Sequence, residues 1–183
     1  MLLGILNSQV TGGAAGAYDL LETQVLSSSA ASVTFTGLGS YTDYKHLQIR
    51  ATLKTNSGSA NAIPFLRFNG SSTGYADHAI YGTGSAVSTD NDTSASQIYW
   101  SRLVGSASDA NEFSPLICDI LDFSSSVKNT TTRTMAGATS GTKRIWFSSG
   151  LWNNTSAVTS LTITESGGAS YVAGCRLSLY GVR

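Results

Sequence analysis

Charge is the scarcest property of this 183-residue chain. Asp, Glu, Lys and Arg make up 12% of the residues, half of the roughly 25% found in an average domain. The 11 basic and 11 acidic residues balance, so the formal net charge is zero. Because binding nucleic acid through its phosphates requires a basic surface, we expect no nucleic-acid partner.

Histidines, cysteines and long apolar runs are scarce as well. The two histidines, His46 and His78, leave little for a catalytic triad or a histidine-based metal site. The two cysteines, Cys118 and Cys175, are too few for a disulfide scaffold. A disulfide between them stays open, but their apolar, strand-like surroundings favour two buried free thiols. No apolar run reaches the ~18 residues of a transmembrane helix, so we expect no membrane association.

Hydroxyl residues and 19 glycines take the place of charge. They suit short strands and tight turns, whereas stretches of Ala, Leu, Glu and Lys that favour long helices are few. Hydrophobic residues make up 41% of the chain, which is enough for a core. A single domain of this length buries about 70% of its unfolded surface. Composition therefore predicts one all-β domain.

The clearest predicted strand is the segment 44–55. Its apolar residues, which recur at every second position, are Leu47, Ile49, Ala51 and Leu53. This period indicates a sheet with one solvated face. The segment 113–123 is apolar enough for a central strand, and Pro64 fits a strand start or an edge. In all we predict about ten strands, at 18–26, 33–36, 44–55, 63–69, 97–104, 113–123, 131–138, 145–152, 158–164 and 175–181. Strands separated by polar turns in this way indicate an antiparallel sandwich or barrel.

The stretch 145–164 has the pattern of two strands joined by a turn. A polar break, Asn153-Asn154-Thr155-Ser156, separates the aromatic run around Trp146 and Trp152 from the apolar residues Leu161 and Ile163. Asparagine tolerates the positive φ that tight turns need. We therefore predict a β-hairpin here, around which the rest of the sheet is organised.

A long polar excursion runs from residue 70 to residue 94. Excursions of this kind often carry function or make contacts, so we predict a contact loop whose candidate residues are Tyr75, His78 and Tyr81. Aromatic residues in and beyond it are also candidates for a sugar-stacking platform or, alternatively, for the core. They are Tyr75, Tyr81, Tyr99, Trp100, Trp146 and Trp152.

The N-terminal segment 1–17 has a different composition from the rest. Its apolar residues precede a glycine-rich tether and are Leu2, Leu3, Ile5, Leu6 and Val10. The run is too short for a signal peptide and no Lys or Arg precedes it. Because these side chains are costly to leave in water, we predict an arm that docks elsewhere, followed by a sandwich domain at 18–183. The alternative is a frayed terminus.

No motif in the chain predicts catalysis. Gly70-Ser71-Ser72-Thr73-Gly74 matches the G-x-S-x-G pattern, but that motif needs a helix after it. Asp90-Asn91-Asp92 lacks the glycine and distal glutamate of a calcium loop, which favours a solvated turn. Asp119 and Asp122 fall on opposite faces of a strand, so they do not form a glycosidase pair. We expect no enzymatic activity, no cofactor and no metal.

Several short blocks stand out along the chain: Tyr18-Asp19-Leu20-Leu21, Tyr44-Lys45-His46-Leu47-Gln48-Ile49-Arg50, Arg67-Phe68-Asn69-Gly70, Ile80-Tyr81-Gly82, Asp119-Ile120-Leu121-Asp122, Ser149-Gly150-Leu151-Trp152 and Leu179-Tyr180-Gly181. In this order they resemble a family of small virion proteins of tailed bacteriophages and related modules of phage tail fibres. The resemblance runs from about Tyr18 to Arg183. It implies a jelly-roll-like β-sandwich with a structural role and no enzymatic activity.

The leading hypothesis from this resemblance is a capsid decoration, or cement, protein. Its partners would be the major capsid protein or other virion proteins, and analogy with other cement proteins implies a homotrimer. Its location would be the surface of a phage particle made in the host cytoplasm. A tail-fibre or tail-adaptor component is the alternative in the same class. A carbohydrate-binding module with a glycan partner is the alternative in another class, and a hydrolase is a remote third.

Overall fold

A computed structural model describes residues 16–59, 62–139 and 143–183. Twelve strands form in these ranges: β1 (Tyr18–Val25), β2 (Ser32–Phe35), β3 (His46–Leu53), β4 (Pro64–Phe68), β5 (Tyr75–Gly82), β6 (Val87–Ala95), β7 (Ile98–Tyr99), β8 (Ser114–Leu121), β9 (Thr130–Ala138), β10 (Arg144–Trp152), β11 (Leu161–Glu165) and β12 (Arg176–Val182). One 3₁₀ turn, Leu38–Ser40, is the only helical element among these residues. None of the described helical structure is long and apolar enough to cross a membrane.

The strands form two antiparallel sheets arranged as a β-sandwich. The large sheet has eight strands in the order β1-β12-β3-β8-β9-β10-β5-β6, and the small sheet has four in the order β2-β11-β4-β7. All pairings between the described strands are antiparallel. This confirms the all-β antiparallel sandwich, while its jelly-roll connectivity stays a prediction.

Strand β3 follows the predicted alternation and sits between β12 and β8. Its core-facing residues are the predicted ones, Leu47, Ile49, Ala51 and Leu53. The opposite face is solvated except near Gln48 and Lys54, which are buried. Gln48 Nε2 donates to Asp119 Oδ1 at 2.7 Å, and Lys54 Nζ donates to the Ala110 carbonyl at 3.2 Å. Next to β3, β8 is fourth in the large sheet, which confirms the predicted central strand.

Aromatic rings fill the space between the sheets. Trp152 of β10 stacks on Tyr75 of β5 with 6.2 Å between ring centroids, and it contacts Phe68 of β4, in the small sheet, at 5.7 Å. Trp100 and Trp146 are buried as fully as Trp152, each at most 2% exposed. These tryptophans and Tyr75 are therefore core residues and cannot form a sugar-stacking platform on the surface.

The hairpin predicted at 145–164 is wrong. β10 pairs with β9 and β5 in the large sheet, whereas β11 pairs with β2 and β4 in the small sheet. The connection between them crosses from one sheet to the other. Both strands have an apolar inner face. Because the two strands lie in opposite sheets, these inner faces meet in the core and are both buried.

Asn69, directly after β4, fixes this crossing connection. Its backbone is left-handed, with φ at 51°. Its Oδ1 accepts hydrogen bonds from the backbone N–H groups of Thr159 and Ser160 at 2.8 and 3.1 Å, and its Nδ2 donates to the Ala157 carbonyl at 2.9 Å. Asparagine suits the position because it tolerates this backbone conformation and carries both a donor and an acceptor.

The polar excursion from 70 to 94 is mostly a β-hairpin. The prediction that this segment is a loop is therefore wrong. β5 and β6 pair in antiparallel register, and the Thr83 N–H donates to the Ala86 carbonyl at 2.9 Å across their turn. β6 is an edge strand, and charged or polar residues on an edge discourage pairing with other chains. Asp90, Asn91 and Asp92 lie on β6, which corrects the solvated turn predicted for them.

Cys118 and Cys175 are buried free thiols, as the sequence favoured. Burial raises the pKa of Cys118 to about 11. Burial also raises the pKa of Cys175, whose Sγ donates to the Lys54 carbonyl at 3.2 Å. Neither thiol carries a thiolate at neutral pH, so both act as small core residues.

The predicted arm lies almost wholly outside the described residues. Tyr18 is the first residue of β1, and the division into an arm at 1–17 and a sandwich domain at 18–183 stays a prediction. The docking residues Leu2, Leu3, Ile5, Leu6 and Val10 fall outside the described ranges and stay a prediction.

Gly150 on β10 provides a test of the packing between the sheets. A Cβ at this position would lie 2.6 Å from Thr132 Oγ1 and 2.7 Å from Ile98 Cγ2. We expect Gly150→Ala to lower the free energy of unfolding by about 1–3 kcal/mol in urea denaturation, because the core must shift. Gly82→Ala on β5 is the control, since its Cβ would meet nothing within 4 Å. Equal effects of the two substitutions would contradict this packing.

Candidate interaction surface

The outer face of the large sheet carries side chains that point away from the small sheet. Along β8, β9, β10 and β5 the buried residues alternate with exposed or half-buried ones. The exposed set is therefore the outer face, and the antiparallel register places its residues in rows that run across the strands.

One of these rows is apolar over four neighbouring strands. Ile117 of β8 is paired with Met135 of β9, Met135 with Phe147 of β10, and Phe147 with Ile80 of β5. Their exposed fractions are 40%, 56%, 49% and 46% in that order. Ile145 and Val87, at 70% and 71% exposed, extend the row along β10 and onto β6. We call these six residues the apolar strip.

A polar row borders the apolar strip, two residues further along each strand. Its members in register are Asp119, Arg133, Ser149, His78 and Asn91. Arg133 Nη2 donates to Asp119 Oδ2 at 2.7 Å, so the two charges of this row neutralise each other. The outer face thus combines an apolar strip with a polar row in which the only two opposite charges are paired.

A cleft of about 550 Å³ opens at the β5 and β6 end of the polar row. Its lining includes Ala76, His78, Asn91, Asp92, Ser149 and Leu151. The cleft is a depression because the side chains at its base are small. Its rim carries amide, carboxylate, imidazole and hydroxyl groups. Groups of these types form hydrogen bonds to hydroxyl-rich ligands.

Asp77 lies beneath this cleft and connects the two sheets. Its Oδ2 accepts a hydrogen bond from the backbone N–H of Tyr99, on β7 of the small sheet, at 2.9 Å. The residue is 8% exposed. Burial raises the pKa of Asp77 to about 6, and the nearby charges of Asp92 and Asp90 on β6 act in the same direction.

The three candidate contact residues have different surroundings. Tyr75 is in the core, where its Oη accepts a hydrogen bond from the Phe68 N–H at 2.8 Å, so it is not available to a partner. Tyr81 is half-buried and stacks on Trp146 at 4.9 Å. His78 is exposed and lines the cleft. Of the three, His78 alone belongs to the candidate surface.

The residues weighed for catalysis are not brought together. His46 on β3 and His78 on β5 are four strands apart in the large sheet, a separation of about 19 Å. His46 Nδ1 instead accepts a hydrogen bond from the Asp122 N–H at 2.9 Å. Ser72 lies between β4 and β5, so its motif leads into a strand and lacks the helix of a nucleophile elbow. Within the described ranges, no three His, Cys, Asp or Glu residues are placed to hold a metal ion.

Comparison of the chain with models of protein families, with curated proteins and with solved structures found no significant match.

The apolar strip was not predicted from the sequence. The signal for it is β10, which carries apolar residues on both of its alternating faces. Trp146 and Trp152 face the core, whereas Ile145 and Phe147 face outward. A strand that is apolar on both faces is typical of a sheet covered on both sides, so the pattern of β10 predicts an apolar outer face.

Asp77→Asn tests the buried carboxylate. The folded pKa of Asp77 is about 6, against ~3.9 in an unfolded chain. The folded state therefore holds this proton more tightly, and the contribution of Asp77 to stability falls as the pH rises from about 4 to about 6. We expect the unfolding free energy of the variant minus that of the wild type to increase by about 1–3 kcal/mol between about pH 4 and pH 8.

Urea denaturation of both proteins at the two pH values measures this quantity. The comparison cancels the carboxylates that both proteins share. A difference that is the same at both pH values would show that Asp77 titrates as it does in the unfolded chain.

Proposed function

We propose that this protein is a non-enzymatic structural component of a bacteriophage particle, and specifically a capsid decoration protein that binds neighbouring capsid subunits. The apolar strip is the observation that carries this proposal. Six exposed apolar residues on five adjacent strands are unfavourable in water unless a partner covers them. A decoration protein binds other proteins, and an exposed apolar surface suits that role.

The sequence blocks that resemble those of phage virion proteins give further support, because several of them meet at one corner of the fold. Tyr44 Oη donates to Asp19 Oδ2 at 3.0 Å, and Arg183 Nη2 donates to the same oxygen at 2.8 Å. Gly181 lies against the Tyr44 ring, where a Cβ would come within 2.5 Å of it. These contacts join the first, third and last strands of the sandwich. The blocks therefore act together to hold this corner of the fold.

The order of the strands supports the jelly-roll part of the proposal. Along the chain, β1 and β3 belong to the large sheet, whereas β2 and β4 belong to the small sheet, and the chain crosses back from β11 to β12 at its end. Repeated crossing between two sheets is how Greek-key sandwiches such as jelly rolls are connected.

In this proposal the apolar arm docks in a groove of a neighbouring virion protein. Burying a Leu or Ile side chain is worth about 1.5–3 kcal/mol, so several together offset the entropy of ordering a flexible segment. Many copies on one particle add avidity. A trimer around a threefold axis and a position on the particle surface belong to the same proposal.

A carbohydrate-binding module for host attachment is the second candidate, and the cleft favours it. The polar groups of His78, Asn91 and Ser149 on its rim match the hydroxyl groups of a glycan. The buried tryptophans offer it no stacking surface, so binding would depend on hydrogen bonds. Titration with host glycans, with Asn91→Ala as the variant and Asn129→Ala outside the cleft as the control, separates this function from the structural one.

Localisation on purified particles tests the proposed function directly. Immunogold labelling or density assigned to the protein on the capsid surface is the expected result. Density on the tail or fibres would instead identify the tail-fibre or adaptor alternative, and absence from purified particles would refute a virion role.

Deletion of residues 1–16 tests the arm. We expect the melting temperature of the isolated protein to stay nearly unchanged, because the strands of the sandwich begin at Tyr18. Incorporation into particles should fall, since the arm supplies part of the binding surface. The full-length variant Leu3→Ser/Leu6→Ser should reproduce the loss, and Gln9→Ser is the matched control. Normal loading of the truncated protein, or its failure to fold, contradicts a docking arm.

A further inference from the structure

We infer that the apolar strip is a self-association surface, and that its occupant is another copy of this chain. The inference goes beyond the proposed function, because it concerns the purified protein and needs no phage particle. It uses the same strip as the proposed function, but the tests are separate: ultracentrifugation of the purified protein tests self-association, and localisation on particles tests the virion role.

The first argument is the size and shape of the strip. At a strand spacing of about 4.8 Å, the five strands from β8 to β6 make the strip about 24 Å wide, and two rows of residues make it about 14 Å high. The strip therefore has an apolar area of about 330 Å². The largest apolar patch on a monomeric protein is typically about 300–600 Å², and such patches are often functional.

The second argument is the area of the face as a whole. Eight strands of about eight residues give the outer face of the large sheet about 1,000 Å². A standard stable interface needs about 800 Å² from each partner. One copy of the same face therefore supplies enough area, with the apolar strip on its β8 to β6 side and the polar row next to it.

The third argument is charge. The two charges in the polar row next to the strip, Asp119 and Arg133, already pair with each other at 2.7 Å. The chain as a whole has a formal net charge of zero. Within the strip and the polar row, no unpaired charge selects a basic or an acidic partner. Arg50, in register with Ile117 on the same face, lies over the Tyr18 and Tyr180 rings at 5.0 and 4.6 Å. A neutral, partly apolar face is suited to a symmetric contact with itself.

The fourth argument concerns the two edges of the large sheet, which are protected against pairing with other chains. β6 carries Asp90 and Asp92 along one edge. β1, at the other edge, has a register irregularity between Leu20 and Glu22. Charged residues and bulges are the devices by which edge strands avoid pairing with other chains. Association through the face is therefore favoured over extension of the sheet.

Analytical ultracentrifugation of the full chain over a range of concentrations tests the inference. The wild type should form a discrete oligomer at micromolar concentration. Phe147→Ser/Met135→Ser, in the middle of the strip, should weaken association at least tenfold, because two large apolar side chains leave the interface. Val127→Ser is the matched control, since Val127 is 81% exposed and lies outside the strip, and it should associate as the wild type does.

The remaining outcomes all overturn the inference. A wild type that stays monomeric at high concentration shows that the strip does not bind a second copy. An oligomer that survives Phe147→Ser/Met135→Ser but dissociates on deletion of residues 1–16 assigns association to the arm. A monomer that begins to associate only after that deletion shows that the chain's own N-terminal segment covers the strip. Unchanged near-ultraviolet circular dichroism of the strip variant excludes unfolding as the cause of dissociation.

Discussion

A difference in width between the two sheets governs this structure. The small sheet has half as many strands as the large one and packs on one of its faces, and no described strand packs on the other face. The inner faces bury the tryptophans, and that burial is the dominant favourable term for folding. The outer face is then free to differ from the core, and its apolar strip is not needed to hold the two sheets together. The separation of a buried aromatic interior from a partly apolar outer face follows from this geometry.

Local patterns in the sequence predicted the parts of the fold that depend on local alternation. β3 was placed correctly because its side chains alternate over many residues, and β8 because its segment is largely apolar. The buried thiols follow from their apolar surroundings. The crossing between β10 and β11 was missed, since a polar break looks the same whether the chain turns back or changes sheets. Asn69, whose side chain holds that crossing, is about ninety positions away in sequence.

The candidate surface was harder to predict for a related reason. β6 is an edge strand rich in Ser, Thr, Asp and Asn, and such a composition is indistinguishable from a loop in a single sequence. The strip joins residues from five strands through their register, and register depends on pairings that are distant in the chain. Only the two-faced apolar pattern of β10 could have indicated it.

The folded protein holds both of its cysteines as buried free thiols. Its native state therefore has no disulfide between them for a reductant to break. With Cys118 fully buried and protonated at neutral pH, alkylating reagents should leave the native protein untouched. A single cysteine introduced on the outer face would therefore be the one reactive thiol, available for spectroscopic labelling without removal of the native pair.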